Sequence, residues 1–438
     1  MFMKNIGVAL LFMLWFSAVE VQAQAHWTLD SCVRYAIANS ITVKQMEVSH
    51  KMASVDLLSA RAALLPNLDA GVRQNWSFGR TQTQSGLYEN RTQSNTGFSV
   101  SSSMILFAGG RRINTIAKAK LDLQASLLNI EKAKNDIELQ VTSLFLQVLF
   151  QKEILRIAQE QFFSTRQQVQ KTQLMVESGK VSANRLSDIR SKMASDTLSI
   201  VQAAGNLRLA LLDLAQSIEI QDLDSFDIVA PESLDSHYTE YPELPVYKDV
   251  SADMPQIKAA EINVESARKS LRIAQADYLP TISLNAGLSS NYFYLYQLPN
   301  ANRTFEEQLK NNLGQYVGLS LNVPIFDRLS VVGRERQAKL NIENLRLTLE
   351  KSRKQLQKEI QTAYINATVA YEKRNSAHKA VLSADEAFRN TRELYEKGKL
   401  SVFDFAQSQT NLSQARANEV QAKYDYVFKM KVLEFYRR

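Results

Sequence analysis

Four stretches of the chain alternate apolar and polar residues with a period of two. In "NLDAGVRQNWSF", Leu68, Ala70, Val72, Trp76 and Phe78 share one face, and Asp69, Gly71, Arg73, Asn75 and Ser77 share the other. In "GFSVSSSMILF", Phe98, Val100, Met104 and Leu106 alternate mainly with serines. "TISLNAGLSSNYFYLY" sets Ile282, Leu284, Ala286, Leu288, Tyr292, Tyr294 and Tyr296 against Ser283, Asn285, Gly287, Ser289 and Asn291. "YVGLSLNVPI" sets Val317, Leu319, Leu321 and Val323 against Gly318, Ser320 and Asn322. The pattern predicts strands over about 67–80, 95–107, 281–297 and 313–326. Each run is about 10–12 residues long, the length a tilted strand needs to cross a bilayer. The polar faces are small and hydrophilic, as in a water-filled lumen. Trp76, Phe78, Phe107, Tyr292, Tyr294, Tyr296 and Phe326 gather toward strand ends, as in an interfacial aromatic girdle.

Between the strands the period changes to seven. After Gly110 neither glycine nor proline occurs up to Val176, which at ~1.5 Å per residue is a helical rod of roughly 100 Å. Val141, Val148, Leu155, Phe162, Val169 and Val176 recur every seven residues, as do Leu186, Met193, Ile200, Leu207 and Leu214. The later counterparts are Ile360, Ala367, Arg374, Val381, Phe388 and Tyr395, then Phe405, Leu412, Glu419, Tyr426 and Leu433. A strict seven-residue repeat predicts antiparallel coiled-coil pairing of long helices over about 109–177, 182–217, 328–396 and 401–436. The two exceptions, Arg374 and Glu419, face solvent or a channel, or mark breaks in the seam.

The pattern occurs twice. Gly179 and Gly398 are 219 residues apart, and the same offset aligns Phe107 with Phe326. Pro66 matches Pro280 at an offset of 214, so about five extra residues belong in the second copy, in the polar stretch after "NYFYLY". The chain divides into a first repeat, 26–217, a proline-rich linker, 218–250, and a second repeat, 251–438. Each reads helix, two strands, very long helix, turn, long helix. Four strands cannot close a barrel, because single-chain barrels start near eight. An open edge in lipid leaves backbone groups unpaired, so several chains must share one barrel.

Residues 1–25 read as a secretory signal: Lys4, an apolar core "IGVALLFMLWFSAV", and the small-residue cleavage site "AQA". No later segment reads as apolar enough for a transmembrane helix. The net charge of +7 is spread over mixed-sign helical faces, which argues against a nucleic-acid site. The single cysteine, Cys32, has no partner for an internal disulfide and suits a buried small position. The four histidines, His26, His50, His237 and His378, are isolated from metal-ligand spacings and nucleophile motifs, so nothing points to an enzyme, a metal or a cofactor.

The export signal, the duplicated unit with two amphipathic strands per copy, and the paired helices turning at "ESGKVSANRLSD" and "EKGKLSVFDFAQ" together resemble the TolC-like outer-membrane efflux family. The resemblance implies a mainly α fold with membrane β-strands. Three chains would form a twelve-stranded β-barrel in the outer-membrane lipid, continued by a periplasmic α-helical barrel. It implies a passive channel of a tripartite efflux or type I secretion system, with a periplasmic adaptor and an inner-membrane pump or ABC exporter as partners. It also implies adaptor docking at the glycine turns Gly179, Lys180, Val181 and Gly398, Lys399, Leu400. In the family, acidic residues six and nine positions after the second glycine narrow the entrance. Those positions hold Asp404 and Gln407 here, and Arg185 and Asp188 in the first copy. The residues themselves allow simpler roles: glycine accepts the left-handed helix end, Ser182 and Ser401 suit N-caps, and Asp404 suits a capping box. Arg185 could pair with Asp404 of a neighbouring hairpin. The rival architectures are a periplasmic coiled-coil adaptor and a surface scaffold, neither of which needs two alternating strand pairs.

Overall fold

A computed structural model describes residues 27–82, 86–221, 226–230, 241–244 and 253–437. The expected export signal lies outside the described residues, as does most of the linker. The elements follow in order: α1 (Leu29–Asn39), α2 (Ile41–Ala62), β1 (Asp69–Ser77), β2 (Arg80–Gln82), β3 (Tyr88–Asn90) and β4 (Gln93–Ala108). Next come α3 (Arg111–Glu177), α4 (Ala183–Ser217), α5 (Pro255–Ala276), β5 (Thr281–Leu295), α6 (Phe305–Asn311) and β6 (Gly314–Asn322). The chain ends with α7 (Ser330–Glu396) and α8 (Val402–Phe435). Helices α3 and α7 are 67 residues each and unbroken.

The chain forms two compact units. One comprises residues 46–130 and 252–354, the other residues 1–45, 131–251 and 355–438. The first holds an antiparallel four-stranded sheet in the order β1-β4-β5-β6. Its strands differ from the sequence reading where backbone chemistry intervenes. β1 stops at Ser77 because Gly79 turns the chain with φ 105° into the small β2–β3 hairpin. β6 stops at Asn322, just before Pro324, which has no N–H to donate. Phe326 therefore lies off the strand. The register of β4 on β5 shifts between Ile105 and Phe107. Phe107, opposite Ile282, continues the row begun by Met104 opposite Leu284, and Leu106 leaves it.

The extra residues of the second copy follow β5. They hold a 3-10 turn (Pro299–Ala301) and α6, which fold back on β5. Beyond Ser289, β5 has no β6 partner, and side-chain amides take its place. Gln308 both donates to Phe293 O and accepts from Phe293 N, and Asn302 does the same for Leu295. Asn312 donates to Asn291 O. The open edge is thus satisfied without another strand. In the same unit, the α5 end is braced on α7. Lys339, Gln275 and Tyr278 donate to Glu335 and hold its carboxyl down at about 2.

The other unit is helical. In α4 the fully buried row is Ile189, Asp196, Ala203 and Ala210, with Leu214 also buried. The larger residues Leu186, Met193, Ile200 and Leu207 flank it, half-buried. Alanine in the central row lets helices approach closely. That composition also makes α4 long and apolar enough to cross a bilayer by length and composition alone, contrary to the sequence expectation. Its buried face is instead a packed seam. Arg374 is half-buried, and its guanidinium lies 5.5 Å over the ring of buried Tyr426. Glu419 accepts a 2.6 Å contact from His378 Nδ1. Cys32 is fully buried, and burial pushes its thiol up to about 12. The described part of the linker packs here: Lys152 pairs with Asp227 and donates to Ile228 O, and Trp27 meets Phe226 at 5.9 Å.

Candidate functional site

Two helical hairpins turn at Gly179 and Gly398, with φ of 70° and 75°. Both ends are Schellman caps. Lys180 N donates to Met175 O and Gly179 N to Val176 O, and Lys399 N and Gly398 N do the same to Leu394 O and Tyr395 O. A Cβ at either glycine would meet nothing within 4 Å, so only the left-handed backbone demands glycine there. Gly179, Lys180, Gly398 and Lys399 are exposed; Val181 and Leu400 are half-buried.

The restarts differ. Ser401 accepts from Asp404 N at 3.1 Å, and Asp404 accepts from Ser401 N at 3.2 Å and from Ser401 Oγ at 2.6 Å, a complete capping box. Ser182 occupies the matching N-cap position, yet its side chain makes no capping hydrogen bond. Its N3 residue is Arg185, which has no acceptor to return. Arg185 instead reaches the other hairpin. Its guanidinium lies 4.3 Å over the Tyr395 ring and donates to Tyr395 Oη, Tyr395 O and Leu400 O at 3.3–3.5 Å.

Beneath this contact, Tyr395 stacks on Phe405 at 4.7 Å within a buried cluster that includes Val169 and Ile189. Lys171 pairs with Glu396 at 3.2 Å. Burial opposes ionisation of Glu396, but hydrogen bonds from Lys171 and Arg392 hold its carboxyl below the usual range. One step further along the hairpins is a buried polar belt. Thr165 donates to Asp196, Gln409 donates to Thr165, and Lys192 joins Asp196 to Thr410. Within the chain Arg185 and Asp404 thus have separate partners. Asp188, Asp404 and Gln407 are exposed, and Gln407 donates to Asn411.

The sheet has one apolar face. Across its four strands, Val72, Phe98, Val100, Met104, Leu284, Leu288, Leu319 and Leu321 lie on it. Trp76 and Tyr294 both oppose Ser94 at one end, and Phe107 lies at the other. Thirteen residues of β4 separate these rows, roughly 33 Å along the normal of a strand tilted by about 40°. The opposite face carries Ser99, Ser101, Ser103, Asn285, Ser289 and Ser320. Among the described residues, the outer edges of β1 and β6 have no strand partner.

The profile of the outer membrane efflux protein family matches residues 33–218 and again 246–433. This chain belongs to that family. It is an outer-membrane channel protein. Among its relatives is outer membrane protein TolC of Escherichia coli (strain K12), 23% identical over 374 residues, 84% of this chain and 73% of that one. Alkaline protease secretion protein AprF of Pseudomonas aeruginosa is 22% identical over 392 residues, 86% of this chain and 77% of that one. In fold, the CusC channel superposes with a TM-score of 0.78 at 17% identity, covering 94% of this chain and 92% of that one. The CmeC outer membrane channel of Campylobacter jejuni gives 0.77 at 17% identity, over 93% and 85%.

Set in the channel, the residues singled out in the sequence fall into two groups. Arg185, Asp188, Asp404, Gln407 and the two glycine turns stand together at the hairpin ends. Trp76, Tyr292, Tyr294 and Phe107 are on β1, β5 and β4, whereas Phe78, Tyr296 and Phe326 follow strand ends. Phe78 and Phe326 are largely exposed. Sequence reasoning missed three features. Tyr395 is the acceptor of Arg185, signalled only by an aromatic at the last heptad position before the turn. Asp196 belongs to a row of small residues offset from the apolar heptad. Tyr316 crosses the polar face onto Gly287, where a Cβ would lie 2.7 Å from its ring.

Proposed function

We propose that the protein works as a trimer of two-repeat chains, 26–217 and 251–438 joined by 218–250. Its shared twelve-stranded barrel and helical tunnel would conduct solutes delivered by a periplasmic adaptor and an inner-membrane pump or exporter. The observation that carries this reading is the sheet itself: apolar on one face, polar on the other, with both outer edges unpaired among the described residues. In lipid such edges are satisfied only by closure with further copies. No step of this reading asks for catalysis or a cofactor: energy would come from the partners.

The hairpin ends form the periplasmic entrance in this reading. The turns Gly179–Val181 and Gly398–Leu400, exposed at their glycines and lysines, are the adaptor contacts. Three exposed Asp404 carboxylates would focus a cation-attracting field in the neck, while Gln407 adds none. Arg185 braces the entrance from the first hairpin by holding Tyr395 of the second.

Planar-bilayer recording tests the Asp404 ring. Asp404→Asn removes charge while keeping an acceptor for the Ser401 cap, so the expected result is weaker cation preference with thermal stability nearly kept. Unchanged selectivity in a conducting trimer refutes the ring and leaves the channel reading intact.

A further inference from the structure

The seven-residue rows of the second copy carry charge at two positions, Arg374 on α7 and Glu419 on α8. Both side chains line one cleft, together with Lys423. At the offset of 219 their counterparts in the first copy are Leu155, Ile200 and Ala204. The duplication thus keeps apolar or small residues at these places in one hairpin and sets charges there in the other. A charged residue on a helical seam costs packing stability. Three gathered around one open cleft point to a ligand rather than to the seam.

The cleft has a volume of about 800 Å³, within the range of small-molecule sites. Four permanent cations line it: Arg156 of α3, Arg374 and Lys379 of α7, and Lys423 of α8. Its two carboxylates are engaged. Glu153 accepts from Arg156 Nε at 2.8 Å, and Glu419 accepts from His378 Nδ1 at 2.6 Å. With histidine counted as neutral, four cations against two carboxylates leave an excess of two positive charges. Acids just outside are also taken, Glu160 by Arg156 and Arg416, and Asp385 by Arg389 and Arg416. Lys379 is exposed and has no hydrogen bond or ion pair among the described residues. The other two cations of the second hairpin are seated on buried aromatic rings, Arg374 5.5 Å over Tyr426 and Lys423 5.7 Å over Tyr424.

We propose that this cleft binds a multivalent oxyanion, the phosphate- or carboxylate-bearing end of a small molecule. Excess positive charge in a recess between three helices focuses an anion-attracting field. The planar guanidinium groups of Arg156 and Arg374 suit paired oxygens, and the ammonium groups of Lys379 and Lys423 act as adaptable point charges. A diphosphate or tricarboxylate group fills only part of the volume, and Val420 and Tyr424 line the wall beside it. Arg156 belongs to the first hairpin and the other three cations to the second. A bound anion therefore ties the two hairpins together, roughly 35 Å along the helices from the glycine turns. Every lining residue comes from one chain, so the site does not depend on how many copies share the barrel.

Calorimetric titration of the protein purified in detergent tests the site, with pyrophosphate and citrate as separate probes at low ionic strength. The expected result is one saturable site per chain for at least one probe, with a raised melting temperature when it is filled. Binding of pyrophosphate alone assigns phosphate groups to the ligand, and binding of citrate alone assigns carboxylates. The double variant Lys379→Gln with Lys423→Gln should weaken binding at least about tenfold. Lys379 is exposed and unbonded, so Lys379→Gln alone keeps the fold and should weaken binding by about threefold or more. As a control, Lys44→Gln with Lys51→Gln removes the same charge from exposed positions of α2 and should leave affinity within about twofold. No saturable binding of either probe overturns the site. So does wild-type affinity in the cleft variants, or an equal loss in the α2 control.

Discussion

Replacing Arg185 by alanine separates the two hairpins of each chain at their ends. The guanidinium is half-buried over Tyr395 and donates to three oxygens at 3.3–3.5 Å, all long for hydrogen bonds. A partly shielded cation–π contact contributes about 0.5–2 kcal/mol, and long hydrogen bonds add at the low end of about 0.5–1.5 kcal/mol each. About 1–2 kcal/mol per chain is a conservative total. If the proposed trimer opens by moving the second hairpin of each chain away from the first, three links break together, about 3–6 kcal/mol. At about 1.4 kcal/mol per factor of ten, the open-to-closed ratio of Arg185→Ala rises by roughly 10²–10⁴. Single-channel recording in planar bilayers reads this as longer open dwell times. Tyr395→Phe keeps the ring and loses only one acceptor, so its effect is predicted to be at least tenfold smaller. A trimeric Arg185→Ala channel with wild-type dwell times would refute the brace.

Other outcomes follow from local geometry. Ser401→Ala removes a complete capping box and is expected to cost about 1 kcal/mol, whereas Ser182→Ala leaves thermal stability within about 0.5 kcal/mol; equal losses would contradict the asymmetry. Gly109→Ala forces a left-handed alanine against Ala276 and Leu279 and should destabilise by at least about 1 kcal/mol. Gly205→Ala, in open space on α4, should stabilise by up to about 1 kcal/mol. Cys32, raised to about 12, stays protonated and resists maleimide at pH 8 until the protein is unfolded. Because this raised value favours the neutral thiol, its contribution to stability is complete below the ordinary thiol value of 9.0 and fades as pH rises toward about 12.

The periodicities carried most of the architecture. Alternation pointed to all four strands of the sheet, because it separates the two faces of a strand, and the seven-residue repeat pointed to all four long helices, because it marks one continuous stripe along a helix. The limits of those patterns are equally physical. Pro324, Gly79 and the bulge at Leu106 alter strand ends through backbone chemistry that alternation does not register. The buried row Ile189, Asp196, Ala203, Ala210 escaped because its last three members are small or polar and carry little hydrophobic signal, although they are buried. At the hairpin ends, the glycine turns and the Ser401–Asp404 cap were legible, since capping is local in sequence. The grip of Arg185 on Tyr395 was not, because it joins residues 210 positions apart that only the packing of two hairpins brings together.

Four strands per chain close a barrel only with further copies. Native mass spectrometry of the protein extracted from outer membranes in mild detergent tests it most directly. One species of three chains is expected. A stable, folded single chain under those conditions would contradict it.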